Sequence, residues 1–196
     1  GTITGRMAHR NPNMAQVPSS YSPYGKECRA CWNVGEGNVL LGVDASGLEL
    51  RMLAHYMKDD EYIKEILDGD IHTANQKAAR LKSRNQAKTF IYALMYGAGD
   101  EKLGKVVEGN TRDGKRAREH FFNNNPAFKS LRDRVTRAST KKFLKAVDGR
   151  KLHIRNAHAS LNTLLQGAGA IVMKKALVIL NDVLKLNAVE YKFVAN

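Results

Sequence analysis

From residue 47 to residue 186 the apolar side chains recur at spacings of three and four, broken at short intervals by Gly or Asn. That period matches the turn of an α-helix rather than the twofold alternation of a half-buried strand, so most of the chain should fold as helices packed on one another. The pattern predicts helices over 47–57, 60–68, 71–80, 84–97, 112–124 and 127–145, and a long one over 158–186. In the long helix, Leu164, Leu165, Ala168, Val172, Ile179 and Val183 should face a core. Three stretches depart from the period. "NVLLGVDA", residues 38–45, has the form of a short buried strand, with Asp44 as its one charge. "DGRKLHIR", residues 148–155, predicts a tight turn at the Asp-Gly step that opens a strand, and "EYKFVAN" predicts a third strand at residues 190–196. Residues 1–38 hold three of the four prolines and should lie extended over something larger.

The composition is that of a folded domain, with 43% hydrophobic and 26% charged residues among 196. No uninterrupted apolar run approaches the roughly 18 residues that span a bilayer, so no membrane partner is expected. The chain opens at Gly1 with no charged-then-apolar leader, and both ends are expected to be cut. Cys28 and Cys31 form a lone C-x-x-C; a structural zinc needs four ligands and no second pair completes the set, so two packed, reduced thiols are expected. Net charge is +13, and residues 102–155, with 16 basic and 5 acidic side chains, carry +11 of it. A polyanion is the partner such a surface suits.

Several residues could carry chemistry. In "RNQAKTFIYALMYGAG" Arg84, Lys88, Tyr92 and Tyr96 fall every fourth residue, along one stripe of a helix whose other side holds Ala87, Phe90, Ile91, Leu94 and Met95. Two cations one turn apart can hold adjacent oxyanions of a polyphosphate, and two phenols offer flat faces to a base or sugar. The same stripe would also serve as an ordinary solvent-facing side. Asp44 is a metal-ligand candidate, or an aspartate at a strand's wet end. "SGLE" has the form of a capping box, with Ser46 as cap and Glu49 reaching back. His158, Asn162 and Gln166 share four-residue spacing beside Gly167 and Gly169; amides there could read base edges or satisfy internal contacts.

In order along the chain, "TGRMAHRNPNMAQVP", "DASGLELRMLAHYM", "GDIHT", "RNQAKTFIYALMYGAGDEKLG" and "HASLNTLLQGAGA" resemble the family A DNA polymerases, closest to their phage replicative branch. The resemblance implies an α+β fold: palm core plus helical fingers, with 1–57 and 158–196 in the palm and 58–157 in the fingers. It implies template-directed transfer of a dNTP to a primer 3′-hydroxyl with two Mg²⁺ ions, primer-template DNA and dNTPs as partners, and action in a host cytoplasm. Asp44 matches the family's first metal-binding aspartate, with the Ala45 carbonyl beside it. Glu49 matches the residue that crowds the sugar 2′ position, and Arg84, Lys88 and His72 match the groups that grip the triphosphate. Tyr92 matches the position near the sugar, and Tyr96 the one beside the templating base. Arg6, Asn162 and Gln166 match residues that feel the minor groove at the primer end, and His158 opens the same stretch. The family's second metal-binding carboxylate would lie after Asn196, so the piece is expected to be inert alone. Single-subunit RNA polymerases share related aspartate and Lys-Tyr-Gly features, but Glu49 suits a deoxyribonucleotide user; a non-catalytic DNA-binding remnant is the other alternative.

Overall fold

The computed structural model describes residues 2–11 and 13–194. Residues 2–11 and 13–47 hold a 3₁₀ turn at Met14–Gln16 and the short helix α1 (Gly25–Ala30), and are otherwise irregular and mostly exposed. The helices α2 (Leu48–Met57), α3 (Asp60–Leu67), α4 (Ile71–Ala79), α5 (Arg84–Met95), α6 (Asp100–Val106), α7 (Thr111–Asn124) and α8 (Pro126–Ser139) follow. An antiparallel pair, β1 (Phe143–Lys145) and β2 (Lys151–His153), leads through a 3₁₀ turn at Ala157–Ala159 into α9 (Ser160–Leu186). The result is α+β, helices dominating.

Local chemistry explains where the helices begin. The side chains of Asp59, Asp70 and Ser83 accept hydrogen bonds from the backbone N–H groups of Tyr62, His72 and Gln86, so α3, α4 and α5 each start on a side-chain cap. Asn110 and Asp113 form a reciprocal capping box on α7, and Pro126 opens α8, where its missing N–H costs nothing. The core is aromatic at its centre. Phe121 meets Phe128 edge-on at 5.2 Å and Phe90 at 6.1 Å. Ala87, Phe90, Ile91, Leu94 and Met95 are all buried, as the period of α5 requires. Leu53 of α2, Leu103 of α6, Leu152 of β2 and Leu165 of α9 close around them. Each large side chain so buried stabilises the fold by about 1.5–3 kcal/mol before chain entropy is counted.

Several expectations change. Residues 38–45 form no strand: Val39 and Leu41 are 90% and 83% exposed, because no described segment lies alongside to complete a ladder. Residues 190–194 likewise form no strand, and 195–196 lie outside the described residues. The helix expected over 127–145 ends at Ser139; Lys142 takes a positive φ of 63° and its carbonyl accepts from the Ile154 N–H, turning the chain into β1. The hairpin pairs Leu144 with Leu152, both buried, and turns at Asp148-Gly149 as expected. α6, unanticipated, starts after Gly99 with two acidic residues in its first turn. Ser46 does not cap α2, whose N-cap is Gly47 in the left-handed region. Of the residues expected to turn α9 toward the core, Leu164, Leu165 and Ala168 do so, while Val172, Ile179 and Val183 are exposed. The span 157–186 is, by length and composition, apolar enough to cross a bilayer, contrary to the expectation from uninterrupted runs: its scattered polar residues break every run without lowering the average far. Its first third is the core helix of this fold. Cys31 is exposed and Cys28 half-buried, so the thiols are free but not packed together in the core.

Candidate functional site

Because the buried side of α5 faces the aromatic core, its opposite stripe is left at the surface, flanked by α4, α2 and α9. Arg84 and Lys88 are exposed; Tyr92 is half-buried and Tyr96 is 46% exposed. The rings of Tyr92 and Tyr96 lie 6.4 Å apart, and His72 of α4 lies 6.5 Å from Tyr92. Burial, together with the nearby Arg84 cation, holds the His72 imidazole below its ordinary value, favouring the neutral ring. Its Nδ1 is buried without a partner.

Arg84 is held side-on by Asp70. Its Nε donates to Oδ2 at 2.6 Å and its Nη2 to Oδ1 at 3.1 Å. The same carboxylate accepts from the Thr73 hydroxyl at 2.7 Å and from the His72 N–H at 3.1 Å. The Arg84 hydrogen bond first, and that of Thr73 second, keep Asp70 well below the usual carboxylate range. Asp70 was not singled out from the sequence, although "GDIHT" carries a recognisable cap signature. Lys88, one turn along, makes no ion pair among the described residues.

At the other end of the stripe the Tyr96 hydroxyl donates to Glu49 Oε2 at 2.7 Å, joining α5 to α2 across 47 residues of sequence. Burial first, and this bond next, push the Tyr96 phenol up to about 12, while a hydrogen bond with Gln166 of α9 acts the other way. Glu49 thus serves Tyr96 and not the capping box. Gly97, φ +80°, follows at once; a Cβ there would overlap the His158 carbonyl, so this glycine lets the end of α5 meet the turn before α9. Gln166 also lines a cleft of about 540 Å³ with Thr4, Arg6, Met7 and Arg155. One turn earlier, the Asn162 Oδ1 is buried without a partner.

The structure therefore brings Glu49, His72, Arg84, Lys88, Tyr92, Tyr96 and Gln166 onto one face and sets Arg6 beside Gln166. Three candidates stand apart. The His158 side chain is exposed, and its backbone rather than its ring makes the contact with Gly97. Asp44 is exposed in the irregular segment, with Ala45 half-buried beside it, and makes no hydrogen bond or ion pair with the other candidates. Among the described residues no three His, Cys, Asp or Glu side chains gather as a metal site.

The family model for DNA polymerase family A matches residues 1–196. The chain is 45% identical over 200 residues to a DNA-directed DNA polymerase of Enterobacteria phage T3 and equally to one of Escherichia phage T7, covering 89% of this chain and 28% of each of theirs. It is 27% identical to a DNA polymerase I of Caldicellulosiruptor bescii, over 99% of this chain and 25% of that one. The fold matches the solved POL domain of Pol1 from M. smegmatis, in complex with DNA primer-template and dNTP, at a TM-score of 0.82 and 23% identity, over 95% of this chain and 37% of that chain. The chain thus spans less than a third of the length of these phage relatives. On the match over every residue, and on the identity to the phage enzymes, the chain belongs to DNA polymerase family A.

Proposed function

We propose that this chain carries the fingers and part of the palm of a template-directed DNA polymerase that transfers a dNTP to a primer 3′-hydroxyl in the host cytoplasm. The observation that carries the reading is the convergence of four elements on the α5 stripe: cations at one end, phenols at the other, Glu49 and Gln166 beyond them. Arg84, Lys88 and His72 take the triphosphate, and the two cations offset the charge that builds on the departing pyrophosphate. Tyr92 packs against the sugar, with Glu49, pinned by Tyr96, narrowing the space beside its 2′ carbon. Tyr96 lies beside the templating base. Arg6, Asn162 and Gln166 address minor-groove acceptors at the primer end, with His158 alongside. Residues 1–57 and 158–196 are assigned to the palm, and 58–157 to the fingers.

Mg²⁺, when bound, would supply Lewis-acid activation of the primer hydroxyl and charge neutralisation. Asp44 and the Ala45 carbonyl are the proposed donors in this chain. One exposed carboxylate and one carbonyl do not fit a complete two-ion centre. Nuclear magnetic resonance titration of the chain with Mg-dTTP tests the reading. The α5 amides should shift, and Lys88→Ala should weaken that binding roughly three- to tenfold while leaving duplex affinity nearly unchanged. Equal affinity for dTTP in Lys88→Ala, with duplex binding reduced, would assign the stripe to DNA instead.

A further inference from the structure

We infer that Asp70 is a positioning residue of the nucleotide site: its carboxylate fixes Arg84 by one edge of the guanidinium and leaves the other edge free for a phosphate. The inference rests on the reading of α5 as a nucleotide-binding face. Its ground is the geometry of one carboxylate shared by two helices. Oδ1 accepts from the His72 backbone at 3.1 Å and Oδ2 from the Thr73 hydroxyl at 2.7 Å, which anchors Asp70 to the first turn of α4. The same oxygens then take Nε and Nη2 of Arg84, on α5, in a two-bond clasp. The clasp is side-on. Nη1 and the second hydrogen of Nη2 form the opposite edge, for which no partner exists among the described residues. A planar fork held in this way has lost its rotamer freedom before a ligand arrives, so less ordering is needed when it binds. His72, which leaves the same turn of α4, is set by the same cap.

Charge alone argues the other way. A carboxylate beside an anion site repels the anion, so simple electrostatics predicts tighter triphosphate binding when Asp70 is neutralised. Positioning predicts weaker binding. The two accounts therefore differ in sign. Asp70→Asn separates them without removing the helix cap, since Asn caps as well as Asp.

The test is titration of the 196-residue chain with Mg-dTTP, read at the α5 backbone amides and at the Arg84 Nε–H resonance, with Lys88→Ala as a control. In the unmodified chain the Nε–H signal should be protected from exchange and should persist at saturating dTTP. Asp70→Asn should lose that protection and bind dTTP roughly five- to tenfold more weakly at α5 despite the added positive charge. Equal or tighter binding by Asp70→Asn, with Lys88→Ala still weakened, overturns the positioning role and leaves the nucleotide face standing. No effect of Lys88→Ala on dTTP overturns the nucleotide face and this inference with it. Should Asp70→Asn fail to fold, the unmodified chain decides: disappearance of the protected Nε–H signal on dTTP binding would make Asp70 a competitor of the triphosphate.

Discussion

Tyr96 shows how one side chain can report on the whole site. Its hydroxyl donates to Glu49, and burial adds to that bond in favouring the neutral phenol, raising it from an ordinary 10.0 to about 12. The stabilisation this gives is fully present below pH 10, and it is lost as the pH rises from there through about 12. Following tyrosinate absorbance through an alkaline titration should show several late-ionising groups, because burial also raises Tyr56, Tyr62 and Tyr92, and Tyr96→Phe should remove the one near pH 12. Glu49→Gln, which keeps an acceptor and removes the charge, should bring that group down toward its neighbours. The same number of late groups in Tyr96→Phe, with none of them moved by Glu49→Gln, would place the bond elsewhere. The four-residue spacing of Arg84, Lys88, Tyr92 and Tyr96 was legible from the sequence because a helix makes spacing and direction equivalent. Their partners were not. Asp70 and Glu49 reach Arg84 and Tyr96 only because α4 and α2 pack where they do.

Among the elements, α9 contains two environments in one unbroken helix. Its first turns are buried among β2, α2 and α8, while Ile179 and Leu186 are 52% and 87% exposed. Leu165→Ala should therefore cost about 2–5 kcal/mol, the usual range for a core truncation. Ile179→Ser should move stability by less than about 0.5 kcal/mol. Urea denaturation of the two variants checks the contrast; similar losses would mean that the far half of α9 is covered in solution. The joint between α5 and the turn before α9 is equally specific. Gly97→Ala places a side chain on a positive φ and against the His158 carbonyl, and should cost at least about 2 kcal/mol, with the α5 stripe shifted against Gln166. Helix bounds were recoverable wherever Asp, Ser, Asn or Pro punctuated them. The end of α8 was not, because "TKKFLK" continues the apolar period and only the pairing with β2 pulls it out of the helix.

Across the whole molecule, the +11 segment becomes a surface in which residues 129–145 bear seven cations, none in an ion pair among the described residues. Arg132 instead lies half-buried, its guanidinium 5.1 Å over the Phe122 ring in a cation–π contact. Duplex binding by the chain should be weak and nearly blind to sequence. For about six phosphate contacts its log-log salt slope should be near −5, and replacing Lys141, Lys142 and Lys145 with Ala should flatten it by roughly 2 to 3. Fluorescence anisotropy over a range of salt measures both; an unchanged slope would move the duplex to another face. Primer extension should be absent, because among the described residues no three His, Cys, Asp or Glu side chains gather as a metal site and the proposed metal donor Asp44 stands exposed and apart. Mg²⁺-dependent extension by the purified 196 residues would overturn that argument.

By itself the sequence determined the helix-rich α+β class, the buried side of α5, the Asp-Gly hairpin turn and the family, since each depends on local spacing or on motifs in order along the chain. Only the tertiary structure decided which surface of each element found a partner. A strand exists through its neighbours, so residues 38–45 lie open although their composition is that of a buried strand. An ion pair exists through proximity, so Asp70 became the partner of Arg84, and Glu49 left its expected cap for Tyr96. Composition sets what a segment would gain by burial, but packing alone sets whether anything comes close enough to provide it.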